Sequence, residues 1–466
     1  MVFSSLLFLY GFLPACMLLY ALMPGMRGKN AVLTVLSLFF YAWGEPVWVV
    51  LLLFSATLDY TCGRVIGKAR RVGSARMARI ALIVSVVLNL SLLGVFKYLD
   101  FFLENFGLLF RYSPALPGIA LPIGISFYTF QTLSYTLDVY RDKVGVQRSY
   151  LDFLLFVSLF PQLIAGPILR YSELEKQLHD RPFTWEGCAA GVTRFCCGLG
   201  KKVLLANTAG AVASGLLDGP LHTLPAADAW LGILLYTAQI YFDFSGYSDM
   251  AVGLGRMFGF QYGENFRYPY FASSVTGFWR RWHISLGSFF RDYVYIPLGG
   301  NRRRVVLSLF VTWFLTGLWH GASWNFVLWG LYYFLWLAFE RFVLKRAPEK
   351  AAKIIPAVYT FPAVVLGWVL FYFTDMGRLG AFMTSLFGAH GFSGTETLSL
   401  WVGRLPLLLL CALAASPLPK ALVSFVQKRP PLLQPALSLC YNTLTLLLCT
   451  AALAGQSYNP FLYFRF

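Results

Sequence analysis

Apolar runs of bilayer length recur along nearly the whole of this 466-residue chain. A helix needs about 20 apolar residues to cross the hydrocarbon core of a membrane. Hydrophobic residues make up 58% of the sequence and charged residues only 13%, too little polar surface to keep a chain of this length in solution. The pattern predicts an all-α, polytopic integral membrane protein. The first run, 2–23, has no basic start and no small-residue cleavage site, so it reads as a first span rather than a removed signal peptide.

The formal net charge is +17, and nucleic-acid binding is one cause of such an excess. Here, however, the Lys and Arg residues lie in short loops between apolar runs, where the positive-inside rule puts them. The expected partner is therefore the lipid bilayer and no nucleic acid. The runs 31–43 and 46–60 meet at the uncharged-to-acidic turn Gly44-Glu45-Pro46 and lead into a basic loop of Arg64, Lys68, Arg70, Arg71, Arg76 and Arg79. That loop belongs in the cytoplasm and the N-terminus outside. The run 80–97 leads out, and 119–138 returns to Arg141, Lys143 and Arg148. The run 151–169 is broken by Pro161, Gly166 and Pro167 and reads as a re-entrant hairpin, a form tolerated where protein or a cavity shields the backbone. Weak spans follow at 203–217 and 228–250, joined by a loop with Asp218 and Asp228 but no Lys or Arg. The Arg-rich stretch 256–304 faces the cytoplasm, and further spans follow at 305–320, 324–340, 354–374, 401–416 and 433–455. Loop charge then gives roughly twelve crossings with both termini extracytoplasmic. The whole chain, 1–466, reads as one membrane domain. The eight Cys form no CxxC pair and no metal spacing; Cys16, Cys411, Cys440 and Cys449 sit in apolar runs and read as packing residues.

Two of the five His stand apart. His320 lies in the run LTGLWHGASWN (315–325), at the turn between two apolar blocks. An ionisable group at membrane depth is costly and marks a functional site. A neutral imidazole there can accept a proton near neutral pH. A structural His bonded to a backbone carbonyl fits the same position, and the sequence leaves both open. His283 lies in FWRRWHISL (278–286), where Arg280 and Arg281 offer the planar donor fork that binds phosphate. An interfacial anchor of Trp and Arg explains that run equally. The segment RDYVYIPLGGNR (291–302) ends in Arg302, followed by Arg303 and Arg304, a cradle for an anionic donor or a plain cytoplasmic loop. In QIYFDFSGYSDM (239–250), Asp243 and Asp249 close an apolar span and need partners, expected to be Arg or backbone N–H groups. The run around Ser248 lacks the second Gly of a nucleophile elbow, so no serine hydrolase is expected. The tail FLYFRF (461–466) suits an aromatic belt anchor. It also suits an acyl carrier, because the phenol of Tyr463 ionises far more easily than an aliphatic alcohol.

Together with PIGISFYTFQ (122–131), FPQLIAGP (160–167) and the terminal YNPFLYFRF (458–466), these segments resemble the bacterial membrane-bound O-acyltransferases, in the branch of the alginate O-acetyltransferases. The likeness covers nearly the whole chain. It implies a ring of about 11–12 transmembrane helices with re-entrant or interfacial helices around a central funnel. It implies His320 as the catalytic residue and His283 at the place of a second polar residue, His or Asn. It implies acetyl-CoA as a donor substrate with no bound cofactor and no metal. It further implies transfer through Tyr463, in a tail matching F-x-Y-x-x-F at Phe461, Tyr463 and Phe466, to an extracytoplasmic SGNH-hydrolase-like acyltransferase and a polysaccharide acceptor. The run WVLFYF (368–373) departs from the branch, where Arg commonly follows the Phe. On this reading Arg280, Arg281, Arg302, Trp319, Asn325 and Asp249 contact substrate, and the protein sits in the inner membrane of a bacterial cell. Peptidoglycan, cellulose or teichoic acid are alternative acceptors to alginate. A polysaccharide exporter or a secretion-complex scaffold would share the hydropathy.

Overall fold

The computed structural model describes residues 1–163, 166–421 and 433–455, and among these every regular element is helical. Tyr463 and the rest of the tail lie outside the described residues. The helices are α1 (Leu13–Leu22), α2 (Gly25–Gly44), α3 (Val49–Arg71), α4 (Ala75–Leu93), α5 (Leu99–Phe110), α6 (Ile125–Tyr140), α7 (Tyr150–Ser158), α8 (Phe160–Leu163), α9 (Tyr171–His179) and α10 (Trp185–Gly200). There follow α11 (Asn207–Leu217), α12 (Ala226–Met257), α13 (Val275–Trp279), α14 (Ile284–Phe290), α15 (Val305–His320), α16 (Trp324–Phe342), α17 (Glu349–Tyr372), α18 (Met376–Leu386), α19 (Thr397–Ala415) and α20 (Leu433–Gly455). Among the described residues, six helices are long and apolar enough to cross a membrane: Val49–Arg71, Ala75–Phe110, Trp324–Arg346, Ile354–Tyr372, Thr397–Ala415 and Gln434–Gly455. Two shorter apolar helices, Phe8–Leu22 and Val305–His320, join them. The expected span at 119–138 is a helix of another kind. α6 is buried along most of its length and carries Thr129, Gln131, Thr132, Ser134 and Thr136 inward. Its neighbours are protein, a distinction that hydropathy cannot draw.

The chain forms two compact units, Met1–Phe195 with Met250–Gly263, and Cys196–Asp249 with Glu264–Phe466. In the first, α3, α4 and α6 pack together around a buried carboxylate. Asp59 accepts from Asn89 Nδ2 at 2.8 Å, from Thr136 Oγ1 at 3.0 Å and from the Ser85 hydroxyl. Two neighbouring helices, α4 and α6, thus supply the donors that this α3 carboxylate needs when water is absent. The basic last turn of α3 meets the turn after α6, where Arg70 Nη1 lies 2.5 Å from Asp142 and Nη2 donates to Tyr140 O at 3.1 Å. Both were expected on one side, and they occupy one end of the unit. The break expected near Pro161 falls at Leu159, between α7 and α8, and Ser37 Oγ accepts the backbone N–H of Phe160 at 3.1 Å. Phe160 packs on Phe12 and Phe40 with ring centroids 5.5 Å apart in both pairs.

Arg181 ties distant parts of this unit. Its guanidinium is buried and donates to Asn30 Oδ1 at 2.7 Å, Tyr20 Oη at 3.1 Å and Phe258 O at 3.1 Å, and it stacks 4.3 Å from the Phe260 ring. Replacing it with Leu removes the charged donor from Asn30 Oδ1 and leaves Tyr20 Oη and Phe258 O with only the 2.8 Å bond between them, at a cost of about 1.5–3 kcal/mol for a hydrogen bond to a charged group. Arg181→Leu is therefore expected to melt several degrees below the native chain in detergent. An unchanged melting curve would remove Arg181 from this role.

Candidate active site

The second unit builds its site around the hairpin of α15 and α16. These helices touch backbone to backbone. A side chain at Gly317 would meet Phe326 O at 2.3 Å, and one at Gly330 would meet Trp313 O at 2.4 Å. The two glycines therefore set how closely the helices approach, and His320 sits at the end of α15 inside that approach. Its ring lies 4.9 Å from Trp329 and 5.1 Å from Phe371, both edge to face, with Phe326 at 6.4 Å. His320 is 7% exposed.

His283 enters from another segment. It is buried, precedes α14, and packs edge to face on Phe244 of α12 at 4.6 Å. It also packs against Trp319, 5.9 Å away, and the Trp319 ring lies 5.0 Å from His320. One indole thus neighbours both imidazoles. Burial, and after it the nearby His320, holds the His283 imidazole well below the ordinary histidine range. At neutral pH it is an uncharged ring with one N–H to donate. The segments bearing the two His are locked by a second aromatic cluster. Trp279 of α13 packs on Trp313 at 4.8 Å, Trp329 at 5.3 Å and Tyr333 at 4.8 Å.

The remaining residues singled out from sequence are placed less uniformly. Trp319 belongs to the site by contact. Asn325 is buried and donates through Nδ2 to Leu370 O at 3.1 Å, so it ties α16 to the end of α17 that carries Phe371. Arg280 and Arg302 are exposed, and Arg281 donates to Phe271 O at 3.1 Å. The two carboxylates of α12 have ammonium partners where Arg or backbone N–H was expected. Lys201 Nζ lies 2.7 Å from Asp249, and Lys202 Nζ lies 2.5 Å from Asp243, with that pair's side chains only 2% and 3% exposed. Both lysines belong to the wide π-helical turn Lys201–Ala206. Asp249 thus stands in an ion pair rather than among the rings around the two His. Trp329, Phe371 and Phe244 were missed from sequence, because nothing marks one aromatic among many as facing an imidazole across the fold.

The family model described as MBOAT, membrane-bound O-acyltransferase family, matches residues 125–379. The chain is 39% identical to the probable alginate O-acetylase of Pseudomonas putida, over 100% of both chains. It is 46% identical to the Pseudomonas aeruginosa protein of the same description, over 80% of this chain and 72% of that one. The peptidoglycan O-acetyltransferase of Helicobacter pylori is 34% identical over 84% of this chain and 81% of its own.

The buried pair yields a stability prediction. Lys202→Met strips Asp243 of its ammonium, and breaking a buried pair from one side costs about 3–5 kcal/mol. The double change Lys202→Met with Asp243→Leu should recover most of that loss. A single variant as heat-stable as the native chain would show the pair to be dispensable.

Proposed function

Because the chain belongs to the membrane-bound O-acyltransferase family, we propose that it moves acetyl groups from cytoplasmic acetyl-coenzyme A to a polysaccharide outside the cell. The observation that supports this best is the pair of buried imidazoles that share Trp319 as a neighbour. A neutral His320 can take a proton from an acceptor hydroxyl, and a neutral His283 can donate to the oxygen that becomes negative during attack. General-base help of this kind is worth about 10²–10⁴-fold.

The acceptor hydroxyl in this reading is the phenol of Tyr463. His320 removes its proton as the phenolic oxygen attacks the thioester carbonyl carbon. The C–S bond breaks, and coenzyme A leaves as a thiol with the proton that His320 carried. The acetyl ester on Tyr463 is then attacked by the serine of an SGNH-hydrolase-like partner outside, which passes it to the polymer. Arg280, Arg281 and Arg302 offer cationic forks to the donor's phosphates. The multi-pass chain lies in the bacterial inner membrane with both termini extracytoplasmic. No resident cofactor enters this mechanism. The alginate O-acetylase relatives favour an alginate-like acceptor, and the Helicobacter relative keeps peptidoglycan as the second choice.

His320→Ala should lower polymer O-acetylation by roughly 10²–10⁴-fold with the protein still present in the membrane. Full acetylation by that variant would remove His320 from the chemistry. Mass spectrometry of the C-terminal peptide after exposure to acetyl-coenzyme A should find an added acetyl on Tyr463 in the native chain and none in Tyr463→Phe or His320→Ala. An unmodified native peptide, with the polymer still acetylated, would rule out the tyrosyl relay.

A further inference from the structure

His283 holds a backbone conformation that side chains rarely adopt, with φ +44° and ψ 55°. It also occupies the position before α14 where a side chain ordinarily caps the helix by accepting one of its first N–H groups. The His283 side chain makes no such bond. Its ring is turned instead to Phe244 and Trp319.

The cap comes from a different segment. Asn265 Oδ1 accepts from the Ser285 backbone N–H at 3.1 Å and from the Ser285 hydroxyl at 3.0 Å. The Asn265 carbonyl accepts from the Ile284 N–H at 3.0 Å. Two residues on, Arg267 N–H donates to Arg281 O at 2.9 Å, so the two segments are paired on both sides of His283. The amide of Asn265 can face only one way, because the Ser285 N–H is a donor and requires an oxygen opposite it. At the far end of the segment, the buried Glu340 carboxylate accepts from Val275 N at 2.6 Å, Thr276 N at 2.8 Å and Tyr359 Oη at 2.8 Å. Glu340 fixes where the segment starts, and Asn265 grips it at the histidine.

We propose that Asn265 is a positioning residue for His283: it caps α14 from outside the helix, holds the left-handed turn, and so fixes the direction in which the imidazole faces the reacting groups. This rests on the reading of His283 as a site residue. Asn265 itself touches no substrate in this scheme and acts through the placement of the ring. A small misplacement of a catalytic group can cost on the order of 100-fold in rate.

The test is a double-mutant cycle on purified protein in nanodiscs, with thiol release from acetyl-coenzyme A as the readout. Asn265→Ala should lower kcat on the order of 100-fold in the native background. In a His283→Ala background the same change should alter the residual rate by less than about twofold, since the ring it positions is gone. Asn265→Asp should restore most of the rate, because a carboxylate accepts the same two bonds from Ser285. Equal losses in both backgrounds, no loss in the native background, or failure of the Asp variant to rescue would each overturn the proposal. If Asn265→Ala does not accumulate, Ser285→Ala removes one of the two side-chain bonds and runs through the same cycle, with the same outcomes deciding. Thiol release unaffected by His283→Ala, or absent from the native chain, would instead overturn the functional reading, and the positioning role falls with it.

Discussion

A polar group buried among apolar neighbours costs free energy unless something bonds to it, and that cost sets much of the architecture of both units. Asp59 of α3 collects donors from α4 and α6. Arg181 spreads its donors over Asn30, Tyr20 and Phe258. Asp243 and Asp249 draw in two consecutive lysines. Each arrangement fixes helices that the apolar contacts alone would leave free to slide, since lipid tails pack against Leu and Val as readily as protein does.

The two histidines are held by different means. His320 inherits its place from α15, which is held against α16 by two glycines, so its surroundings are set by helix packing. His283 lies where the chain is locally irregular, and its place depends on hydrogen bonds from Asn265 and on packing between Phe244 and Trp319. Asn and His are among the residues most often found in the left-handed region. The backbone at 283 thus favours the same two side chains, His and Asn, that the family resemblance puts there.

Much of this was legible in the sequence, and the reasons for the rest are physical. Apolar runs mark helices, and the runs at 46–60, 80–97, 324–340 and 433–455 all coincide, to within three residues, with helices long enough to span. The break in 151–169 was visible because Pro161 cannot continue a helix. Hydropathy could not separate a helix facing lipid from one facing protein, so α6 read as a span like any other. Partners were the least legible. Asn30 and Arg181 are 151 residues apart, and Lys201 lies 48 residues before Asp249. No local pattern connects such pairs, which is why Arg was expected where Lys stands. His320 was visible because ionisable residues are rare in apolar runs, and His283 because two Arg and three aromatics precede it. Asn265 was not, because an Asn before an aromatic in a polar loop looks like any turn residue.

The contact between Gly317 and Gly330 also bears on redesign. With a carbonyl oxygen 2.3–2.4 Å from where a first side-chain carbon would stand, even a methyl group at either position pries the hairpin open. Under the proposed function, an effort to enlarge the acyl group would leave both glycines alone and trim the rings of Phe326, Trp329 and Phe371, which pack around His320.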